Sequence, residues 1–294
     1  MSLNLRQLKL FEATARLGRL THAADEQAIS QSAASQAIKE LESHLGYPLF
    51  QRVGRELNMT PAAHDVLPRV IQIIELTDSL KAPEAKSLSG ILRIAASVTI
   101  ANYLLPELVA EFLADHPLVT PDIAIANTYG VIEAVERGQA HLGLIEGPAL
   151  HRQLAITHWR DDALQVFCTP DHPLASQGRI DADEVATQRW ILREDGSGTR
   201  LIFDAAVQQI KQQVKVAFAL NRQEAIKRSV RAGLGIGCLS RLSIAEEVER
   251  GELVVIETPL ELSRRLSIVA QPSASTNPLV ETFEAFIQRS SSDL

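Results

Sequence analysis

Apolar positions in the first sixty residues recur at helical spacing in short bursts. Leu5, Leu8, Phe11 and Ala15 mark one face of a first helix, and Gly18 breaks the run ahead of Thr21, a residue suited to cap the next. A second helix is predicted through Ala23, Ala24 and Gln27, ending near Ile29. Ser30 or Ser32 can cap a third that carries Ala33, Ala34, Ile38, Leu41 and Leu45 and stops at Gly46. Two helices joined by a few residues, the first rich in alanine where helices approach closely, form a helix-turn-helix pattern. Residues 51–57 place Gly54 between two short extended pieces flanked by Arg52 and Arg55, which predicts a basic hairpin wing.

Thr60-Pro61 then supplies an N-cap and a first-turn proline. The helix it opens carries Ala63, Leu67, Val70, Ile74 and Thr77 at alternating spacings of four and three, a seam suited to pairing with a copy of itself. Pro68 lies inside it and is expected to bend the helix without ending it. Residues 81–90 lack periodic apolar positions and read as a linker. Beyond them the pattern changes to short apolar runs alternating with amphipathic stretches. Strands are expected at 91–96, 123–126, 142–145, 154–159, 164–168, 190–192, 214–220, 235–239 and 266–271, with helices at 100–115, 131–138, 199–212, 222–232 and 277–288. This is an α/β rhythm that implies two similar lobes.

Composition changes this picture little. No apolar run approaches the roughly 20 residues that cross a bilayer, and the first six residues lack the pattern of a secretion signal, so a cytoplasmic location and no membrane partner are expected. Cys168 and Cys238 each sit in an apolar run, which suits buried thiols rather than a disulfide or metal site. The net charge of −7 argues against indiscriminate coating of nucleic acid. It is unevenly spread: residues 1–60 hold seven Lys/Arg against six Asp/Glu, which is +1 and leaves −8 for the rest.

One long ordered signature decides how these pieces are read. Ala23-Ala24, the run from Ile29 to Gln36, then Ile38, Leu41-Glu42, Leu45-Gly46, Leu49-Phe50, Arg52 and Met59-Thr60-Pro61 together resemble the DNA-binding domain of LysR-type transcriptional regulators. Gln27, Ser32 and Ala63 depart from that family's usual leucine, proline and glycine. The Gly233–Gly237 run and the total length fit the same family. The resemblance implies an α+β multidomain chain. A winged helix-turn-helix (1–60) leads through a dimerisation helix (61–82) and hinge (83–90) to a two-lobed α/β sensor of the periplasmic-binding-protein type 2 class. Residues 91–163 and 266–294 would form its first lobe and 164–265 its second. It further implies a homodimer or homotetramer on double-stranded promoter DNA, with RNA polymerase as a further partner.

In a helix-turn-helix the second helix enters the major groove by its amino-terminal part, where Gln reads adenine edges and small hydroxyls permit close approach. Gln31, Ser32, Ser35 and Gln36 are the expected base contacts, with Lys39, Arg52 and Arg55 placed for phosphates or the minor groove. In the sensor, ligands belong in the cleft at strand carboxyl ends and helix amino ends. Ser97 and Thr99 stand at the first such junction and Thr128 at the next. The loop Glu194, Ser197, Gly198, Thr199, Arg200 precedes a helix, and Gln223 opens another. The resemblance to LysR-type regulators whose similar loops sense small oxyanions or carboxylates implies a small anion or carboxylate as effector, zwitterionic or protonated if Glu146 and Glu194 face it. The rival reading is a solute-binding protein or enzyme on the same scaffold. The first 80 residues speak against it, since neither needs a reading helix and wing. No H-E-x-x-H, P-loop or G-x-S-x-G occurs, and Gly233-x-Gly235-x-Gly237 lacks the last glycine of a dinucleotide fingerprint, so neither catalysis, a metal nor a cofactor is expected.

Overall fold

The computed structural model describes residues 3–53, 56–79, 88–272 and 277–290. Helix α1 (Leu5–Leu17) opens with a reciprocal cap: the Asn4 side chain accepts from the Gln7 N–H at 2.9 Å, and the Gln7 side chain accepts from the Asn4 N–H. It ends at Gly18 in the left-handed region. Helix α2 (Leu20–Glu26) follows at once, with Arg19 at the cap position and no side-chain cap bond. Thr21 therefore lies inside this helix and does not cap it, because the tight turn at Gly18 returns the chain two residues earlier than the sequence suggested. The helix ends at Glu26, short of Ile29, and the turn to the next element passes through Ala28 at φ 52°.

Helix α3 (Gln31–Leu45) is capped by Ser30, whose hydroxyl accepts from the Ala33 N–H at 3.2 Å, so Ser30 and not Ser32 is the cap. Gly46 closes it at φ 84°. Strands β1 (Phe50–Val53) and β2 (Glu56–Met59) pair antiparallel as a wing. Gly54 and Arg55 lie outside the described residues. Helix α4 (Pro61–Ser79) starts on Thr60, whose hydroxyl accepts from the Ala63 N–H, and runs on through Pro68.

Its first turns are not a free seam. Ala63, Leu67 and Val70 are buried with Leu10, Phe11, Ala34 and Leu41 in the core of the amino-terminal domain. That domain is too small to close its core without them. Among the described residues the large apolar side chains that α4 exposes are Ile73 and Leu76, so the seam expected at Ala63–Thr77 is in its first turns part of this domain's own core. Residues 80–87, which hold most of the expected hinge, lie outside the described residues.

The rest is a mixed sheet bent into two lobes. In the first, β3 (Ser89–Ser97) runs parallel between β4 (Leu118–Ala126) and β5 (Leu142–Glu146), and β11 (Ser263–Ala270) pairs antiparallel with β5. In the second, β7 (Arg189–Arg193) lies parallel between β8 (Lys215–Leu220) and β9 (Ile236–Ser240), and the short β10 (Val254–Ile256) pairs with β6. Strand β6 (Ala155–Cys168) belongs to both: its first part pairs with β11 and its last residues with β9 and β10. The runs at 154–159 and 164–168, expected as two strands, are this single crossing strand. Each lobe buries apolar side chains on both sheet faces, around Ile94, Phe112 and Phe283 or Val131 and Val269 in the first, and around Trp190 and Phe203 or Ile191 and Leu239 in the second.

The helix expected at 100–115 is two, α5 (Val98–Tyr103) and α6 (Leu105–Asp115), because Pro106 in the first turn of α6 cannot donate to the preceding turn. Helices α7 (Thr128–Glu136), α10 (Gly198–Gln209) and α11 (Gln223–Arg231) begin at the junctions singled out in the sequence. Helices α8 (Pro173–Gln177), α9 (Ala182–Thr187) and α12 (Arg241–Glu249), with β10, were not anticipated. Helix α13 (Pro278–Arg289) returns to cover the first lobe. Among the described residues no helix is long and apolar enough to cross a membrane.

Candidate functional site

The face that α3 presents beside the wing is an open cleft of about 1420 Å³. Gln31, Ser35 and Lys39 line it at successive helical turns, with Leu17–Thr21 of the turn between α1 and α2, Phe50 and Leu57–Met59 of the wing, and Arg137 of the first lobe. Ser32 and Gln36 occupy the adjacent exposed stripe; the Ser32 hydroxyl meets that of Ser30 at 3.0 Å, and Gln36 donates to Glu40 at 3.0 Å. Arg52 is on β1 of the wing. The wing is held at its angle by Glu42, whose carboxylate accepts from the Leu49 and Phe50 N–H groups at 2.7 and 3.2 Å. Glu42 thus ties helix and wing together.

In the sensor the two lobes touch. The Thr128 hydroxyl donates to the Glu146 carbonyl at 3.0 Å and accepts from the Gly198 N–H at 3.1 Å. A side chain at Gly198 would put its Cβ 1.8 Å from the Glu146 carbonyl oxygen, so only glycine permits this approach. The Tyr129 N–H donates to the Gly196 carbonyl, and Asn127 reaches Glu194 and the Asp195 carbonyl.

Beneath this seam lies a charged centre with side chains from both lobes and the crossing strands. Arg264 of β11 is fully enclosed, 2.6 Å from the Glu146 carboxylate and 2.7 Å from Asp162. It also donates to the Thr199 hydroxyl at 2.9 Å and the Thr99 hydroxyl at 3.4 Å. Asp162 accepts from Ser240 as well, and Gln223 donates to Thr99 at 2.9 Å. Around it the buried side-chain atoms with no hydrogen-bond partner are Ser97 Oγ, Ser197 Oγ, Gln223 Oε1 and Arg193 Nη1, and also the carboxylate oxygens Glu146 Oε2, which is ion-paired with Arg264, and Asp162 Oδ1, which lies 3.8 Å from Arg241. A buried group left in that state costs about 1–3 kcal/mol.

The expected ligand residues therefore separate. Ser97, Ser197 and Gln223 carry unused bonding capacity, at the amino ends of α5, α10 and α11. Thr99 and Thr199 are spent on Arg264, and Thr128 and Gly198 on holding the lobes together. Arg200 is bound to Asp204 of its own helix at 2.9 Å and to the Arg193 carbonyl. Glu194 pairs with Arg193 at 2.8 Å; burial opposes its charge, but the guanidinium outweighs burial and holds its carboxyl below the usual carboxylate range.

A bacterial regulatory helix-turn-helix domain of the lysR family matches residues 5–64, and a LysR substrate binding domain matches residues 85–292. The chain is a LysR-family regulator. It is 38% identical over 264 residues to the uncharacterized HTH-type transcriptional regulator YeiE of Escherichia coli (strain K12), covering 88% of each chain. Its fold is that of full-length OxyR from Pseudomonas aeruginosa, with a TM-score of 0.77, 20% identity, and 98% and 95% of the two chains covered. The regulatory domain of CcmR from Synechocystis PCC6803, solved in complex with 2-PG, is 26% identical with a TM-score of 0.65, covering 70% of this chain and 99% of that one. This regulator is thus a sequence-specific DNA-binding protein whose action responds to a small metabolite.

In the regulator the residue that organises the sensor is Arg264, which sequence reasoning missed together with Asp162. Both lie in strands where alternation argues for burial but gives no sign of a partner a hundred residues away. Each sits beside a like charge, Asp161 or Arg265, so nothing in the sequence marked it as the buried member of the pair. The two thiols are buried and unpaired, and burial pushes Cys168 up to about 11 and Cys238 to about 12, so both stay protonated.

Proposed function

We propose that a small oxyanion or carboxylate, held between the lobes of the regulator by Ser97, Ser197 and Gln223, sets its affinity for promoter DNA in the cytoplasm. The observation that carries this reading is the group of unpartnered buried atoms on those three residues. Two are hydroxyl donors, and Ser197 stands at the positive end of the twelve-residue α10. The charge of Arg264 is already answered by two carboxylates, so the hydroxyl donors and the helix end, rather than Arg264, hold the anion. Gln223 Oε1 accepts only, which suits a ligand that also carries a hydroxyl or an acidic proton.

Movement of the lobes reaches the DNA module directly. Gln139 of the first lobe donates to the Arg16 carbonyl at the end of α1 at 2.6 Å, and Gln153 donates to Asp65 of α4 at 2.9 Å. A homodimer joined along the Ile73 and Leu76 stripe of α4 would present two reading helices to one face of the duplex, which favours an interrupted inverted repeat as operator.

A thermal-shift series with sulfate, phosphate and glycolate, at constant ionic strength, tests the ligand reading. At least one of them is expected to raise the melting temperature of the full chain by several degrees and to lose that effect in the Ser197→Ala/Gln223→Ala variant. Equal shifts in both proteins, or none with any of these anions, would contradict it.

A further inference from the structure

The cleft against α3 is not walled by the amino-terminal domain alone. Arg137, the residue that ends α7 in the first lobe, lines it together with Gln31, Ser35 and Lys39 of α3 and Arg19 at the start of α2. Helix α3 is the one that a helix-turn-helix lays in the major groove, with the preceding helix crossing the backbone. A guanidinium of the sensor therefore borders the surface that meets the duplex.

Three contacts fix its position. Gln139 donates to the Arg16 carbonyl at the end of α1 at 2.6 Å, and Gln153 donates to Asp65 of α4 at 2.9 Å. Gly138 turns the chain at φ 67° and lays its bare backbone against Ile71 of α4. Arg137 enters the cleft at a set place for as long as the first lobe stays docked on these helices.

The side chain of Arg137 is 47% exposed and pairs with Glu133, one turn earlier on α7, at 2.6 Å. An exposed pair at this spacing is weak, and a guanidinium keeps further donors with which to meet a phosphate. The other carboxylates close by are turned elsewhere. Glu42 accepts from the wing, Glu12 and Glu26 hold Arg16 at 2.8 and 2.6 Å, and Glu136 faces His151 at 3.6 Å. Charge balance supplies an independent argument. The chain beyond residue 60 carries −8, so the sensor as a whole is repelled by a duplex. A cation where it comes nearest to α3 offsets that repulsion.

We infer that Arg137 is a DNA contact supplied by the sensor lobe, its guanidinium binding a backbone phosphate of the duplex that lies on α3. The contact carries no base preference, because it meets only the sugar-phosphate backbone. It adds affinity while the first lobe is docked on α1 and α4, and undocking of the lobe withdraws it.

Fluorescence anisotropy of the full chain across a series of KCl concentrations tests the inference, on one duplex enriched from a random-sequence pool and on a scrambled duplex of the same length. Melting curves confirm that each variant is folded. Arg137→Gln is expected to weaken binding to both duplexes by the same factor, about threefold or more, and to make the slope of log affinity against log salt shallower by about one. Arg137→Lys should keep the wild-type slope. Glu133→Gln, which removes the competing carboxylate, should tighten both complexes, whereas a purely structural role for the pair would make it act in the same direction as Arg137→Gln. An unchanged slope in Arg137→Gln, a loss confined to the enriched duplex, tighter binding by Arg137→Gln, or a Glu133→Gln variant that binds no tighter than the wild type would each overturn the assignment.

Discussion

Arg264 shows how much of the sensor rests on one side chain. It is enclosed between Glu146 and Asp162 and hydrogen-bonded to Thr99 and Thr199. Removing one partner of a buried ion pair strands the other charge, a loss of about 3–5 kcal/mol. Arg264→Met is expected to lower unfolding stability by that amount in urea titration, and the added changes Glu146→Gln and Asp162→Asn should restore most of it. A second residue gives the molecule a pH dependence. His141 accepts at Nδ1 from the Arg93 N–H at 3.2 Å, a bond only the neutral ring makes there. Burial, helped by the Arg93 charge, lowers its pKa to about 4. The unfolded chain takes up a proton near pH 6.5 and the folded chain does not, so stability falls as pH drops from about 6.5 towards 4, by roughly 3 kcal/mol in all. Melting curves between pH 7 and 5 should show the decline, and His141→Gln should flatten it.

At the scale of elements, the reader is α3 with its wing, and Glu42 joins them. Glu42→Ala leaves the Leu49 and Phe50 N–H groups without their charged acceptor, worth about 1.5–3 kcal/mol for each bond. Melting temperature and affinity for every duplex should fall together, whereas truncating a base-reading side chain of α3 alters the preference among duplexes; fluorescence anisotropy on specific and random DNA separates the two. The helices of the reader were legible because capping and periodicity are local: Ser30, Gly46 and Thr60-Pro61 act within a turn of themselves. The inward face of α4 was not, since it answers to packing against α1, which no local pattern encodes. The junction residues Ser97, Ser197 and Gln223 could be found as helix starts, but which of them kept free bonding capacity depended on Arg264 and on the Gly198 contact. The crossing strand β6 looks like two strands in the sequence because its halves serve different lobes with different neighbours.

For the whole molecule, α1 and α4 of the amino-terminal domain are braced against the first lobe through Gln139 and Gln153, and the first lobe is clasped to the second through Thr128 and Gly198. On the proposed reading a ligand that tightens or opens the clasp would change the frame on which the amino-terminal domain is mounted, and effector and DNA affinities are then expected to be coupled and reciprocal. The central claim beneath this is that the amino-terminal face of α3 reads base edges, in pairs set by a two-fold dimer. Selection of bound duplexes from a random-sequence pool, followed by sequencing, measures it directly for the wild type and for Gln36→Ala. The wild type is expected to enrich an interrupted inverted repeat, and Gln36→Ala to lose base preference at one position in each half-site while keeping the spacing. Enrichment without two-fold symmetry, or a Gln36→Ala motif identical to that of the wild type, would contradict it.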